Sequence, residues 1–472
     1  MLRCVRQMGT MARSPLNDPL IAVIGATGTG KSQLAVELAR RYNGEVVNGD
    51  AMQLYSGLPI ITNKITTEEQ RGIPHHLLGC IGLQEPTWVV GTFVKRAVKV
   101  IEEIRSRGKL PILVGGTHYY TQSLLFHDRL AETEGETEKD EHAAQNNMQH
   151  FPVLEEPTEI LLEELKRVDP AMAERWHPKD RRKIQRSLEI YLKTGKKASE
   201  TYAEQRMRKD EHQNEEHAAQ GESSGSNLRF STLLFWVHAK PEPLRSRLDS
   251  RVDKMLDAGL LDEVHTLDSH AEAEALAGRP VDETRGIWVS IGYKEFKPYT
   301  HALENGNTSE KELARMKTEA IDRTKAATRQ YAKRQIRWIR IKLVNALNEA
   351  KANDRLFVLD ASDATQYDET VVKPALAITD QFLAGTPLPP PETVAPPALT
   401  DLLNSERDYD ISAKPETWTK QHCETCNVTC VVQDQWHQHI NSKAHKKLVS
   451  KRRKQAADAL QREWNPCTGS EG

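Results

Sequence analysis

Short apolar runs and helical spacings alternate along most of this chain. Runs bounded by turn residues at 20–25, 45–48, 76–81, 110–115, 233–238 and 356–360 read as strands. Between them, residues 32–42, 92–107 and 243–258 repeat apolar positions every three or four residues and read as helices. Strand and helix in alternation predict an α/β fold, a parallel sheet with helices on both faces. The block 158–201 breaks the alternation with continuous helical spacing and reads as an inserted helical domain, extending to about residue 207. The polar stretches 131–156 and 208–227 bury too little to fold, and disorder is expected there. A proline-rich linker containing "GTPLPPPETVAPPAL" is expected over 384–417. The chain thus divides into a leader (1–18), a core (19–130 and 228–383), the insertion, the linker and a small module at 418–454.

Composition changes this picture little and charge changes it more. At 472 residues, 38% hydrophobic and 28% charged, the chain suits two or three domains with a real core. No run of 18 or more apolar residues is present, so no membrane span is expected. The net charge of −2 averages over strong segregation. Residues 130–158 carry eight acids and one base, 315–342 ten bases and two acids, and 443–454 seven bases and no acid. Basic runs of this kind fit a polyanionic partner or a solvated face. The leader holds Arg3, Arg6 and Arg13 with no acid before Asp18, which fits a mitochondrial presequence and equally a disordered leader.

Residues Gly25, Ala26, Thr27, Gly28, Thr29, Gly30, Lys31 and Ser32 form G-x-x-x-x-G-K-[ST] between a strand and a helix. That context marks a P-loop, whose backbone N–H groups and helix start face phosphate oxygens. Lys31 would neutralise phosphate charge and Ser32 would ligate Mg²⁺. A phosphate-cleaving enzyme usually ends a second strand in Asp to hold the metal. Here the strand "KLPILVGGTHYY" ends in Gly115-Gly116-Thr117. The available carboxylate is Asp50, just past the second strand, where one base beside a phosphate site fits proton abstraction from a nucleophile. Taken alone, Asp50 reads better as a turn cap.

Cys423-x2-Cys426-x12-His439-x5-His445 has the spacing of a closed tetrahedral Zn²⁺ site; Cys430 and His437 are spare candidates that read better as ordinary finger residues. "KAHKKLVSKRRK" adds basic charge to it, pointing to auxiliary RNA binding or to nuclear targeting. In "TRQYAKRQIRWIRIK", Arg329, Lys333, Arg337 and Arg340 share one helical face, and Ala332, Ile336, Ile339 and Leu343 the other.

The ordered set "GATGTGKS", "GDAMQLY", "NKITTEEQRGIPHHLLG", "PILVGGTHYY", "RVDKML…GLLDEV", "SIGYKEF" and "TRQYAKRQIRWIR" resembles the tRNA dimethylallyltransferase family in its eukaryotic form. The likeness spans roughly residues 20–370 and resumes at the zinc finger. It implies transfer of a dimethylallyl group from its diphosphate to N6 of the adenosine just 3′ of the anticodon. The P-loop would then hold a diphosphate leaving group. The resemblance assigns Asp50 as general base, places Thr27 and Arg251 at the diphosphate, and puts Gln53 against the target base or its neighbours. Ala51, Met52 and Thr117 would line the tRNA channel. Lys179, Asp180, Arg181, Arg182 and Lys183, with Arg186 nearby, would grip the anticodon stem, and Arg329, Gln330, Lys333 and Arg334 would meet RNA phosphates. Ala51 stands where the family often has Ser, and Lys179 where it often has Asn. A monomer, soluble in cytoplasm and mitochondria with the nucleus also open, is the accompanying expectation. Three rivals stay open: an adenylate isopentenyltransferase using free nucleotide, a nucleic-acid-binding zinc-finger protein with a degenerate core, and a P-loop kinase.

Overall fold

The computed structural model describes residues 18–127, 151–204, 207, 227–405 and 418–464. The leader to residue 17 and most of the two polar stretches, 131–150 and 208–226, lie outside the described residues. In chain order come β1 (Pro19–Ile24), α1 (Lys31–Arg41), β2 (Gly44–Asn48), β3 (His75–His76), α2 (Val90–Ser106), β4 (Leu110–Val114) and α3 (His118–Leu125). Then follow α4 (Thr158–Val168), α5 (Pro170–Arg175), α6 (Arg181–Thr194), β5 (Ser231–His238), α7 (Pro241–Asp257), α8 (Leu260–Leu276) and α9 (Tyr293–Asn305). The chain continues through α10 (Glu310–Trp338), α11 (Val344–Glu349), β6 (Leu356–Asp360), α12 (Lys373–Leu383), β7 (Trp418–Cys423), β8 (Val428–Val432), α13 (Gln433–Asn441) and α14 (Lys443–Trp464).

Six parallel strands form one sheet in the order β3-β2-β4-β1-β5-β6. The alternation of side chains along each strand divides the core in two. Leu20, Ala22, Ile24, Leu113, Leu234, Trp236 and Val358 meet α2, α3, α8 and α11 on one face. Ile21, Val23, Ile112, Leu233, Phe235, Phe357 and Leu359 meet α1 and α12 on the other. Burial on both faces explains why these strands read as continuous apolar runs. The third strand is shorter than expected: it ends at His76 because Leu77 turns out of the sheet with φ of 55°.

Helix α10 buries Ala320, Thr324, Thr328, Ala332 and Gln335. A π turn over Ile339–Leu343 follows and shifts the register of the next residues. The proline-rich stretch is packed over its first half rather than free. Ala395 and Leu399 are buried in the sheet's core, and Arg340 pairs with Asp401 at 3.2 Å. Apolar residues between the prolines give that segment something to bury.

The chain separates into two compact units, residues 1–130 with 223–407, and 131–222 with 408–472. In the second unit Leu161, Leu165, Met172, Ile184 and Leu188 close a small helical core. The finger packs on it: the Arg175 guanidinium lies 4.6, 5.4 and 5.1 Å from the rings of Trp176, Tyr202 and Trp418. Lys420 Nζ also donates to Ala173 O at 2.9 Å. Among the described residues no helix is long and apolar enough to cross a membrane.

Candidate active site

Three loops leave the carboxyl ends of β1, β2 and β4 side by side, the position where open parallel sheets hold ligands. The first is the phosphate loop from Gly25 to Ser32. Gly25 has φ of 146°, and a Cβ there would lie 2.2 Å from Val237 O, so no side chain fits. Thr29 Oγ1 and Lys31 Nζ donate to Ala26 O at 2.9 and 2.7 Å. Burial drives the Lys31 ammonium down to about 8; Asp50 opposes the shift and Arg251 adds to it.

The second loop carries Asp50 to Gln53. Asp50 N–H donates to Asn48 Oδ1, and Asp50 Oδ1 accepts from Met52 N–H, both at 3.0 Å. Burial raises the Asp50 carboxyl even though Met52 N–H, the Lys31 charge, and Gln53 and Gly116 N–H all favour ionisation. Gln53 Nε2 donates to Asn63 O at 3.0 Å. The third loop is Gly115–Thr117, where Thr117 Oγ1 accepts from Ala51 N–H at 3.0 Å. A Cβ on Gly116 would lie 2.6 Å from Gln335 Nε2 and 2.9 Å from Asp50 Oδ2. Glycine here keeps open a space that the carboxylate and the amide both border.

Arg251 reaches in from α7, and its Nη1 donates to Thr27 Oγ1 at 2.8 Å. Burial lowers it to about 10 against the pull of Asp50. Thr27, Lys31, Ser32, Asp50, Gln53 and Arg251 all line one cavity of about 460 Å³. Lys31 and Arg251, both half-buried and pushed towards losing their protons, share the cavity with the half-buried Asp50, which is pushed towards gaining one. A phosphate-type anion would reverse the cost of both cations, and Asp50 would stand beside it as a base.

The structure distributes the other named residues differently. On α10, Lys333, Arg334 and Arg337 are exposed, as is Gln330. Arg329 is instead paired with Asp249 at 2.5 Å. In the second unit Lys179, Arg182 and Lys183 are exposed. Asp180 caps α6, accepting from Lys183 N–H at 3.3 Å. Arg181 Nη2 donates to Leu154 O at 2.9 Å, and Arg186 pairs with Glu189 at 2.9 Å.

Four residues escaped the sequence reading. Asn48 ties its amide to Asp50 O and Leu77 O at 3.0 and 2.8 Å. Tyr331 carries a phenol pushed up by burial and by Asp50. His118 is buried without a partner for either ring nitrogen among the described residues, and burial plus Lys31 push it down to about 3, so it is neutral. Gln335 bridges two of the loops. Its signal was legible: a glutamine on the inward face of an amphipathic helix.

In the finger, Cys423, Cys426, His439 and His445 bring one ligand atom each within 4.8 Å of the others. His445 Nδ1 lies 3.6 and 3.3 Å from the two sulfurs. Tetrahedral Zn²⁺ with its usual bond lengths requires about 3.5 Å. His439 Nε2 is buried with no partner among the described residues, as an atom awaiting a metal would be. Cys430 is buried in β8 outside this group, and His437 faces Gln433 at 3.1 Å.

The fold and cavity define a P-loop α/β protein in which the phosphate loop, Asp50 and Arg251 border one cavity. Residues 53–342 match the model of the IPP transferase family. The tRNA dimethylallyltransferase of Schizosaccharomyces pombe is 38% identical over 451 residues, 93% of this chain and 96% of that one. The Homo sapiens tRNA dimethylallyltransferase is 34% identical over 450 residues, 94% of this chain and 88% of its own. A solved eukaryotic dimethylallyltransferase acting on tRNA is similar with a TM-score of 0.69 at 35% identity, over 94% of this chain and 100% of that chain. The chain belongs to the IPP transferase family.

Proposed function

We propose that this chain transfers a dimethylallyl group from dimethylallyl diphosphate to N6 of the adenosine immediately 3′ of the anticodon of tRNA. The observation that carries this reading is a half-buried carboxylate, Asp50, sharing a cavity with a phosphate loop and the Arg251–Thr27 pair. The adenine amine attacks C1 of the dimethylallyl group while the C1–O bond breaks. The bonding electron pair leaves with the diphosphate, and the N6 proton passes to Asp50. Lys31, Arg251, Thr27 and the loop N–H groups stabilise charge on the departing oxygens. The target base must be out of the anticodon stack to reach Asp50.

Ser32 lines the cavity beside Lys31, which fits a Mg²⁺ that takes its other ligands from phosphate oxygens and water. Such an ion would neutralise leaving-group charge. Cys423, Cys426, His439 and His445 would hold structural Zn²⁺, and the exposed cations of α10 and of the insertion would meet tRNA phosphates.

The test offers labelled dimethylallyl diphosphate with tRNA, AMP or ATP in separate reactions. Label on tRNA alone supports the reading. Label on AMP makes the chain an adenylate isopentenyltransferase, and release of phosphate from ATP without label transfer makes it a kinase or ATPase.

A further inference from the structure

Gln335 is 4% exposed and lies on the inward face of α10. Its Oε1 accepts from Thr27 N–H at 2.8 Å, across 308 residues of chain. Its Nε2 donates to Gly116 O at 2.9 Å, across 219 residues. The Gly116 N–H on the adjoining peptide bonds to Asp50. At the other end, Thr27 Oγ1 accepts from Arg251 at 2.8 Å. An unbroken series therefore runs Arg251–Thr27–Gln335–Gly116–Asp50. It joins the leaving-group site to the base site, and Gln335 is its only member from α10. Tyr331, one turn earlier on that helix, bonds to both Gln335 and Thr117. An uncharged amide can both accept from Thr27 and donate to Gly116 without placing a charge beside Asp50.

We propose that Gln335 is a positioning residue for the transfer, setting the separation between the phosphate loop and the loop that orients Asp50. The proposal rests on the prenyl-transfer reading above. Bond making at N6 and bond breaking at the diphosphate occur on opposite sides of one carbon. Both loops must therefore be held at the right distance together. A misplacement of about 1 Å costs up to about 100-fold in rate even where each substrate still binds.

The test measures kcat and both KM values for wild type, Q335M and Q335E with labelled dimethylallyl diphosphate and tRNA. Q335M keeps length and loses both hydrogen bonds. Its kcat should fall by about 10- to 100-fold, with each KM changed by no more than about threefold. The carboxyl introduced by Q335E, buried near Asp50, titrates above the ordinary carboxylate range. Once protonated it can accept from Thr27 and donate to Gly116. The Q335E to wild-type rate ratio should therefore rise as pH falls from about 8 to about 6. A general loss of folding would not produce that rise, so it decides the matter if Q335M is unstable. A wild-type kcat in Q335M, or a flat Q335E ratio, overturns the role of Gln335. A wild-type protein that moves no label to tRNA overturns the prenyl-transfer reading instead, and the proposal with it.

Discussion

Glu45 and Asp50 lie at opposite ends of one strand, and both are carboxylates taken out of water. At Glu45 the charge is answered. His76, Arg107 and Lys109 approach it at 2.6, 2.7 and 2.8 Å. Burial raises its pKa, but hydrogen bonds from Lys109, His76 and Arg107 prevail and bring it to about 2. At Asp50 burial prevails and the carboxyl is raised, while Lys31 and Arg251 are lowered. The first cluster is complete within the protein and sits at the amino end of β2, away from the ligand loops. The second is left with cationic groups that nothing in the described chain fully answers. A closed cluster stabilises a fold, whereas an open one is waiting for a ligand. The finger is the mirror case, with thiols and imidazoles gathered for a cation.

Removing the base from the open cluster should have the largest effect. Asp50→Asn should fold normally and bind tRNA, yet lose about 10²–10⁴ in turnover. Near-normal turnover would remove Asp50 from the role of base. In the wild type, kcat/KM should rise with pH as Asp50 ionises, with a midpoint above the ordinary carboxylate range. It should fall again near pH 8 as Lys31 loses its proton. A profile flat through pH 8 would show that Lys31 does not act as a cation in the free enzyme.

Cys423→Ser or zinc chelation tests the mirror case. The finger should lose its shape without metal, raising KM for tRNA by about tenfold and flattening its salt dependence. KM for the diphosphate should stay put. Trp418 fluorescence should shift as its contact with Arg175 is lost, and unchanged fluorescence would mean that the finger folds without metal.

Glu45→Gln should leave activity intact and lower stability by roughly 1–2 kcal/mol, because Arg107 and Lys109 lose their anion and His76 its carboxylate hydrogen bond. The figure is kept low because His76, Arg107 and Lys109 are themselves partly exposed. The folded pKa of Glu45 is depressed, so its stabilisation is complete above about pH 4.5 and is lost as pH falls towards about 2. Denaturant melts of wild type and variant should therefore converge at acid pH.

The smallest effect has the opposite sign. Burying charged Lys31 costs stability below its folded pKa of about 8, and the cost fades as pH rises towards the ordinary 10.5. Lys31→Met should thus raise the neutral-pH Tm of the ligand-free protein by about 2–4 °C while abolishing transfer. A lower Tm would mean that attraction to Asp50 outweighs the cost of burial.

The features legible in the sequence are those made by neighbours along the chain. The strand runs, the phosphate loop, the Cys and His spacing and the two faces of α10 each follow from local period or short covalent spacing. Ala332, Ile339 and Leu343 are buried where the helical period puts them. The cations on the other face were less predictable. Arg329 is taken by Asp249, and within the π turn Arg340 is taken by Asp401, while Lys333 and Arg337 stay exposed. A charge in a sequence carries no address for its partner.

What tertiary structure alone decided was which distant groups share one desolvated space. Arg251 meets Thr27 across 224 residues and Gln335 meets it across 308. Nothing local specifies those contacts. They exist because burying both faces of the sheet offsets the entropy of closing long loops and fixes α7 and α10 against the loops at its carboxyl edge. The same burial withdraws water from Asp50, Lys31 and Arg251, so the shifts in their pKa values come from the assembled core.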